Sequence, residues 1–392
     1  MTTTQPATVF LQKDLARSIR QGHPWIYRNA LGRVDDLDSG EVVDVLTRDG
    51  RRLARGYWDD RSAIAVRVLE TGGPGHRFSP PDALVRRRLR TALERRLERL
   101  DLAETNAFRW VHGEADLLPG IHVDVYADAA VVRFDGDGAH AFYADLADML
   151  DEAAAGRLAL RRVIDRDDRA SSTGTDEIEV VEGGVRFGVD LAHGQKGGLF
   201  LDQRENRLLV ASFAEGMSVL NLFGYTGGFS VHAAAAGADR TDTVDIARPA
   251  IDAARLNFER NGLDLAKAGL HAVDAFDFLT GALQRGDEWD IVISDPPSFA
   301  PRKDALPAAR KAYLRLHRLA AAVTRPGGLL CAASCSSHMP ADEFVASVED
   351  GAMQAGRSWE LEELRGAGFD HPVIPAFPEG DYLKFAIGRV GL

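Results

Sequence analysis

From Met217 onward, short apolar segments alternate with amphipathic stretches of helical period, and no other feature restricts so strongly what this chain can fold into. Segments 218–222, 240–245, 270–274, 291–294 and 329–333 read as strands separated by helices. Such alternation predicts a parallel sheet with helices on both faces, because a parallel pair needs a crossover long enough to hold a helix. Segments 359–364 and 382–390 read as two further strands that complete it. Ligands of open α/β sheets bind at the carboxyl ends of the strands, so chemistry is expected there.

The first of these strands runs into Asn221-Leu222-Phe223-Gly224-Tyr225-Thr226-Gly227-Gly228-Phe229, a glycine-rich turn ahead of a helix. Glycine lets a backbone approach a ligand closely, although a turn needed only for packing has the same composition. The spacing is G-x-x-G-G instead of G-x-G-x-x-G, which disfavours a pyrophosphate ligand. Asp245 ends the second strand at a place where a carboxylate accepts hydrogen bonds from ribose hydroxyls, so an adenosine-containing ligand without phosphates fits. Asp274 ends the third strand ahead of Ala275 and Phe276, and either meets the adenine or caps the next helix. The fourth strand leads into Ser294-Asp295-Pro296-Pro297-Ser298-Phe299. Its prolines stiffen a loop that either holds polar groups and an aromatic ring against a flat substrate or is a plain exposed turn.

Two cysteines are present, Cys331 and Cys335, in Leu329-Leu330-Cys331-Ala332-Ala333-Ser334-Cys335-Ser336-Ser337. Two positions on one strand are badly placed to bridge, and the spacing fits neither a redox pair nor a zinc site, so no metal is expected. Cys331 reads as a buried, inert thiol. Cys335 falls at a strand end level with Asp295, where a nucleophile is useful. With no leader sequence and no long apolar run, a reducing, cytoplasmic location without membrane insertion is expected.

The first half reads differently. Segments 41–46, 52–58 and 63–69 alternate as strands of a small β domain, and Thr71-Gly72-Gly73-Pro74-Gly75 marks its end. A helix over 81–102 carries Arg86, Arg87, Arg88, Arg90, Arg95, Arg96 and Arg99 around a leucine stripe, as either a solvated amphipathic helix or an RNA-facing one. Strands at 121–126, 130–134, 177–181 and 185–189 around a helix over 139–155 form an α+β unit. Net charge is −12, but the first 110 residues hold 20 basic against 15 acidic side chains and the remainder 27 against 44. Any RNA contact is therefore expected in the N-terminal part, with a marked salt dependence.

These residues resemble a known family. His23-Pro24-Trp25, Arg52-Leu53-Ala54-Arg55-Gly56, Gly113-Glu114-Ala115-Asp116-Leu117-Leu118-Pro119-Gly120, Leu201-Asp202-Gln203-Arg204, Tyr225-Thr226-Gly227-Gly228-Phe229, Asp295-Pro296-Pro297, Ser334-Cys335-Ser336, Asp370-His371-Pro372-Val373 and Pro378-Glu379-Gly380-Asp381-Tyr382-Leu383-Lys384 are similar to motifs of one group. They are those of the bacterial 23S ribosomal RNA cytosine-C5 methyltransferases with an N-terminal PUA domain. The resemblance implies an α/β protein: a PUA domain over residues 1–75, a central α+β domain over 76–189 and a class I, Rossmann-like methyltransferase domain over 190–392. It implies S-adenosylmethionine held by Gln203, Arg204, Phe223, Gly224, Tyr225, Thr226, Gly227, Asp245, Ile246, Asp274, Ala275 and Asp295. Cys335 becomes the nucleophile, with Asp295 on the cytosine edge and Pro296, Pro297 and Phe299 against the base. Large-subunit ribosomal RNA is the implied partner, and a homodimer is among the assemblies expected. One departure stands out: Ser298 occupies a position where the family usually has lysine, so Arg302 or Lys303 takes over that cation or none does. A same-fold enzyme methylating a base nitrogen such as guanine N7 needs no cysteine and is the nearest alternative. A non-catalytic RNA-binding assembly factor and a small-molecule methyltransferase are more distant ones.

Overall fold

The computed structural model divides into two units, Met1–Leu102 with Asn106–Gly174 and Phe369–Gly380, and Ala103–Thr105 with Thr175–Gly368 and Asp381–Leu392. The structure describes residues 6–34, 36–73, 75–166, 177–191, 198–300 and 302–392; Pro74 of the expected boundary lies outside them.

The first unit begins with β1 (Ala7–Phe10), α1 (Ala16–Arg20), β2 (Trp25–Tyr27), β3 (Val42–Leu46), β4 (Arg52–Trp58) and β5 (Ile64–Thr71), in a sheet of order β1-β3-β4-β5-β2. Strands β1 and β2 are four and three residues long, too short to display a period of two in sequence. The chain continues through α2 (Pro81–Leu97), β6 (Ala107–His112), β7 (Ile121–Tyr126), β8 (Ala129–Phe134), α3 (Asp137–Phe142), α4 (Leu146–Ala154) and β9 (Arg162–Asp165), with sheet order β6-β7-β8-β9. The single helix expected over 139–155 is two. A break at Tyr143 lets both neighbouring rings meet Tyr57, Phe142 stacked at 4.6 Å and Tyr143 edge-on at 5.9 Å. Tyr57 and Leu69 share one core with Leu84, Leu89, Leu93, Trp110 and Val123, so the small β sheet and the α+β part are packed together.

Helix α2 does not present all its arginines to solvent. Arg96 is buried and grips Asp116 with two bonds of 2.7 Å, Arg88 donates to Leu117 O at 2.7 Å, and Arg86 pairs with Glu152. Arg87, Arg90, Arg95 and Arg99 stay exposed. Part of the basic stripe is therefore structural.

The second unit contains the hairpin β10 (Glu177–Glu182) and β11 (Val185–Asp190), then α5 (Arg204–Ala211), β12 (Ser218–Leu222), α6 (Gly228–Ala235), β13 (Arg240–Asp245), α7 (Arg248–Arg260), β14 (Ala268–Ala272), α8 (Ala275–Arg285), β15 (Trp289–Ser294), α9 (Leu306–Ala322), β16 (Thr324–Ser334), α10 (Ala341–Gln354), β17 (Ser358–Arg365) and β18 (Lys384–Gly391). Seven strands form one sheet of order β14-β13-β12-β15-β16-β18-β17. It is mixed, not parallel throughout: β18 runs antiparallel to both β16 and β17. An antiparallel neighbour needs no crossover helix, and among the described residues the path from β17 to β18 holds only a 3-10 turn at Pro378–Gly380.

Alternate residues of these strands feed two cores, as a period of two requires. Leu220, Leu222, Val292, Leu330 and Ala332 pack with residues of α8, α9 and α10, while Val219, Ile291, Ile293, Cys331 and Ala333 pack with Val210, Phe229 and Ala233. Both faces are thus filled, and the strand ends are left to carry the site. No helix among the described residues is long and apolar enough to cross a membrane.

Candidate active site

At the carboxyl end of β12 the chain turns through Phe223 and Tyr225 with φ of 57° and 47°. Non-glycine residues pay roughly 1–3 kcal/mol each for such a backbone, and strain of this kind collects where a ligand is held. Gly224 sits between them because nothing larger fits: an added Cβ would lie 2.6 Å from Thr243 Cγ2 and 2.9 Å from Asn221 Nδ2. Thr226 is buried, its carbonyl accepting from Asn257 Nδ2 at 2.9 Å, and Gly227, at φ +81°, starts α6. Gly224→Ala is expected to cost about 1–3 kcal/mol of stability through overpacking, measurable by denaturant titration. A neutral result would remove the close-approach argument.

Asp245 at the end of β13 ties the turn down: Oδ2 accepts from Tyr225 N and Oδ1 from Ala247 N, both at 2.9 Å. Ile246 beside it is 73% exposed, an aliphatic surface at the strand end. Asp274 is not at a strand end, since β14 stops at Ala272; its Oδ1 caps α8 by accepting from Phe276 N at 2.8 Å and Asp277 N at 3.2 Å, ahead of buried Ala275. The capping role stood as one of two readings in the sequence, and it is the one these bonds carry.

Gln203 and Arg204 are both 2% exposed. Gln203 donates through Nε2 to Asp295 Oδ2 at 3.0 Å and accepts from Asn206 Nδ2 at 2.7 Å, which joins two motifs 92 residues apart. Beyond Asp295, Pro296 is buried, Pro297 is exposed, and Phe299 packs on Tyr313 with ring centroids 4.9 Å apart. Ser298 Oγ lies 3.0 Å from Ser336 Oγ, so the residue standing in for lysine links the Asp295 loop to the Cys335 turn. Arg302 is 80% exposed and paired with Asp304, and the side chain of Lys303 lies outside the described residues.

Cys335 is half-buried at the tip of β16. Burial pushes the Cys331 thiol up to about 12, which leaves it inert. The serines flanking Cys335 are gathered by residues that sequence reading missed. Tyr313 OH lies 2.8 Å from Ser334 Oγ and 3.1 Å from Ser336 Oγ, and Lys384 Nζ donates to Ser336 O at 2.8 Å. Tyr313 sits in the apolar stripe of α9 and reads as plain core. Lys384 had a signal, its place in the Gly380-Asp381-Tyr382-Leu383-Lys384 motif. The same motif is anchored by Tyr382 OH, which donates to Asp202 Oδ2 at 2.6 Å.

The fold agrees with what the chain is similar to. Residues 153–373 match a sequence model of S-adenosylmethionine-dependent methyltransferases, and residues 9–71 match a PUA-like domain. Proteins named ribosomal RNA large subunit methyltransferase I are 34% identical in Shewanella denitrificans, over 97% of this chain and 98% of that one, and 35% identical in Aeromonas hydrophila, over 98% and 99%. A methyltransferase structure from Streptococcus mutans, 23% identical over 98% of this chain and 100% of its own, shares the fold with a TM-score of 0.80. Another solved with S-adenosylhomocysteine, 24% identical with the same coverage, scores 0.81. Over its full length, then, the chain belongs to the S-adenosylmethionine-dependent methyltransferase family, alongside the proteins named ribosomal RNA large subunit methyltransferase I.

Proposed function

We propose that the protein forms 5-methylcytosine in large-subunit ribosomal RNA, in the cytoplasm, through a transient bond between Cys335 and C6 of the base. The observation that carries this reading is the position of Cys335, at the carboxyl end of β16 and joined through Ser336 to Ser298 of the Asp295 loop. A base-nitrogen methyltransferase has no use for a thiol held there. The names of the relatives supply the substrate class.

The strand ends fit S-adenosylmethionine. The Phe223–Gly227 turn is too tight for a Cβ at Gly224, Asp245 keeps free lone pairs for ribose hydroxyls, and Ile246 offers an exposed apolar face for adenine. Asp274, Ala275, Gln203, Arg204 and Asp295 complete the set. When bound, S-adenosylmethionine supplies the methyl group as an electrophile.

Cytosine C5 is a poor nucleophile, so the protein must raise its electron density. The Cys335 thiolate adds to C6, the electron pair moves toward C5, and Asp295 hydrogen-bonds the base edge to hold it in register. Once C5 carries the methyl group, loss of its proton re-forms the C5–C6 double bond and returns Cys335 as thiolate. Pro296 and Pro297 keep the loop rigid, and Phe299 borders the base from its seat on Tyr313. Nucleoside mass spectrometry on RNA from cells with and without the gene tests the reading. Loss of one 5-methylcytosine supports it, whereas loss of a methylated guanine would replace it.

Because Asp245 holds both the turn and the proposed ribose contact, Asp245→Ala should weaken S-adenosylmethionine binding by at least about tenfold in calorimetry. Unchanged affinity would take Asp245 out of the site. For RNA, the exposed arginines of α2 are the place to look. Deleting residues 1–75 would strip Tyr57 and Leu69 from a shared core, so substitution is the cleaner probe. Replacing Arg87, Arg90 and Arg95 by glutamine should weaken RNA binding and lower its salt slope by roughly two to three. An unchanged slope would place the phosphate contacts elsewhere.

A further inference from the structure

A free cysteine titrates near pH 8.5 and is only about 3% ionised at neutrality, whereas the addition step needs a thiolate. The groups packed around Ser334-Cys335-Ser336 bear on that difference. Lys384, across from Ser334 in the antiparallel β16–β18 pair, is 6% exposed. Its ammonium donates to Ser336 O at 2.8 Å and Met339 O at 3.0 Å, so the backbone leaving Cys335 wraps around a buried positive charge. Two carbonyls satisfy donors without neutralising charge, and a buried ammonium is costly unless an anion shares its surroundings.

The other titratable groups nearby can be named. From α9, Tyr313 bridges the two flanking serines; burial pushes its phenol up, so it stays a neutral donor. From the loop after β15, Asp295 is a carboxylate held by Gln203, and its charge opposes a thiolate. From the segment before β18, Asp381 acts on Lys384 itself. Burial pushes Lys384 down, while the charges of Asp381 and Cys335 pull it back up. Coupling between two charges is reciprocal: whatever favours the ammonium beside a thiolate favours the thiolate beside the ammonium.

We propose that Lys384 is the positioning residue of the nucleophile, its ammonium anchoring the carbonyls that follow Cys335 and stabilising the cysteine as thiolate. This rests on Cys335 being the attacking group. It assigns to the C-terminal strand, instead of the loop lysine that Ser298 replaces, the cation of the reacting centre.

The test is the pH dependence of Cys335 alkylation by iodoacetamide in the full-length protein, wild type, Lys384→Met and Lys384→Arg, from about pH 6 to 9 and read by mass spectrometry. Only two cysteines exist, and Cys331 is buried and inert, so its labelling reports unfolding and serves as an internal control. In the wild type the midpoint should lie about one unit or more below the ordinary thiol value. Lys384→Met should move it back up and slow labelling near neutrality about tenfold, with Cys331 still protected. Lys384→Arg, permanently charged, should keep most of the depression. Equal midpoints in wild type and Lys384→Met, or an ordinary midpoint in the wild type, would overturn the proposal and leave Lys384 a loop staple. If Lys384→Met exposes Cys331, the wild-type midpoint and Lys384→Arg decide, since an ordinary midpoint in either would overturn it. Alkylation needs neither RNA nor donor. An active Cys335→Ala enzyme would therefore refute the nucleophile assignment separately from the Lys384–Cys335 coupling.

Discussion

Cys335→Ala is expected to reduce methyl transfer by roughly 10⁴-fold or more while S-adenosylmethionine still binds, because the side chain lies outside the turn that would hold the donor. RNA carrying 5-fluorocytosine at the target should trap a covalent complex with the wild type. Fluorine does not leave as the C5 proton does, so the C6–S bond persists. Cys331→Ala should do neither; removing its sulfur from the core costs stability alone, about 1 kcal/mol. A nitrogen methyltransferase would give the reverse: an active Cys335→Ala enzyme, no adduct, and a methylated purine in the digest. That result would leave the family assignment intact and overturn the reaction.

The second large effect concerns stability. Glu182, at the end of β10 and fully buried, accepts from Arg207 Nε and Nη2, both at 2.7 Å, and lies 3.0 Å from His232 Nε2. Burial by itself pushes the carboxyl up, but the Arg207 charge and the bonds from His232 and Arg207 outweigh it and hold Glu182 at about 2. A depressed carboxyl contributes stability that is complete above its unfolded value near 4.5 and lost as pH falls toward 2, here on the order of 3 kcal/mol. Glu182→Ala leaves the Arg207 guanidinium, 3% exposed, without its carboxylate. The expected cost is about 3–5 kcal/mol in urea titration at neutral pH, together with a flatter loss of stability below pH 5. A change under about 1 kcal/mol would mean that water or a rearranged neighbour compensates for the charge.

What could be read in the sequence follows from local physics. Strands β12, β15, β16 and β18 announced themselves because short apolar strands, broken by helices of period 3.6, have few other ways to fold, and β13 and β17 were legible from their place in that alternation. The strand ends at Asp245, Asp295 and Cys335 were legible for the same reason, since a ligand site on such a sheet has a fixed address. Short strands such as β2, and the break that splits α3 from α4 at Tyr143, were not legible. Three residues cannot display a period, and the break depends on Tyr57, which lies far away in sequence.

The sequence by itself determined the class of the second unit and the strand ends at which a site is expected, because periodicity and residue type are local properties. Only the tertiary structure decided the partners. It placed Arg96 on Asp116 instead of at the surface, bound Gln203 to Asp295, and brought Tyr313 and Lys384 to the serines that flank Cys335. Each of these is a contact between residues distant in sequence, and β18 inserting antiparallel between β16 and β17 is what carries Lys384 to Ser336, beside Cys335. A charge or hydroxyl in sequence carries no record of what it will face; burial and hydrogen-bond geometry assign that only once the sheet has closed.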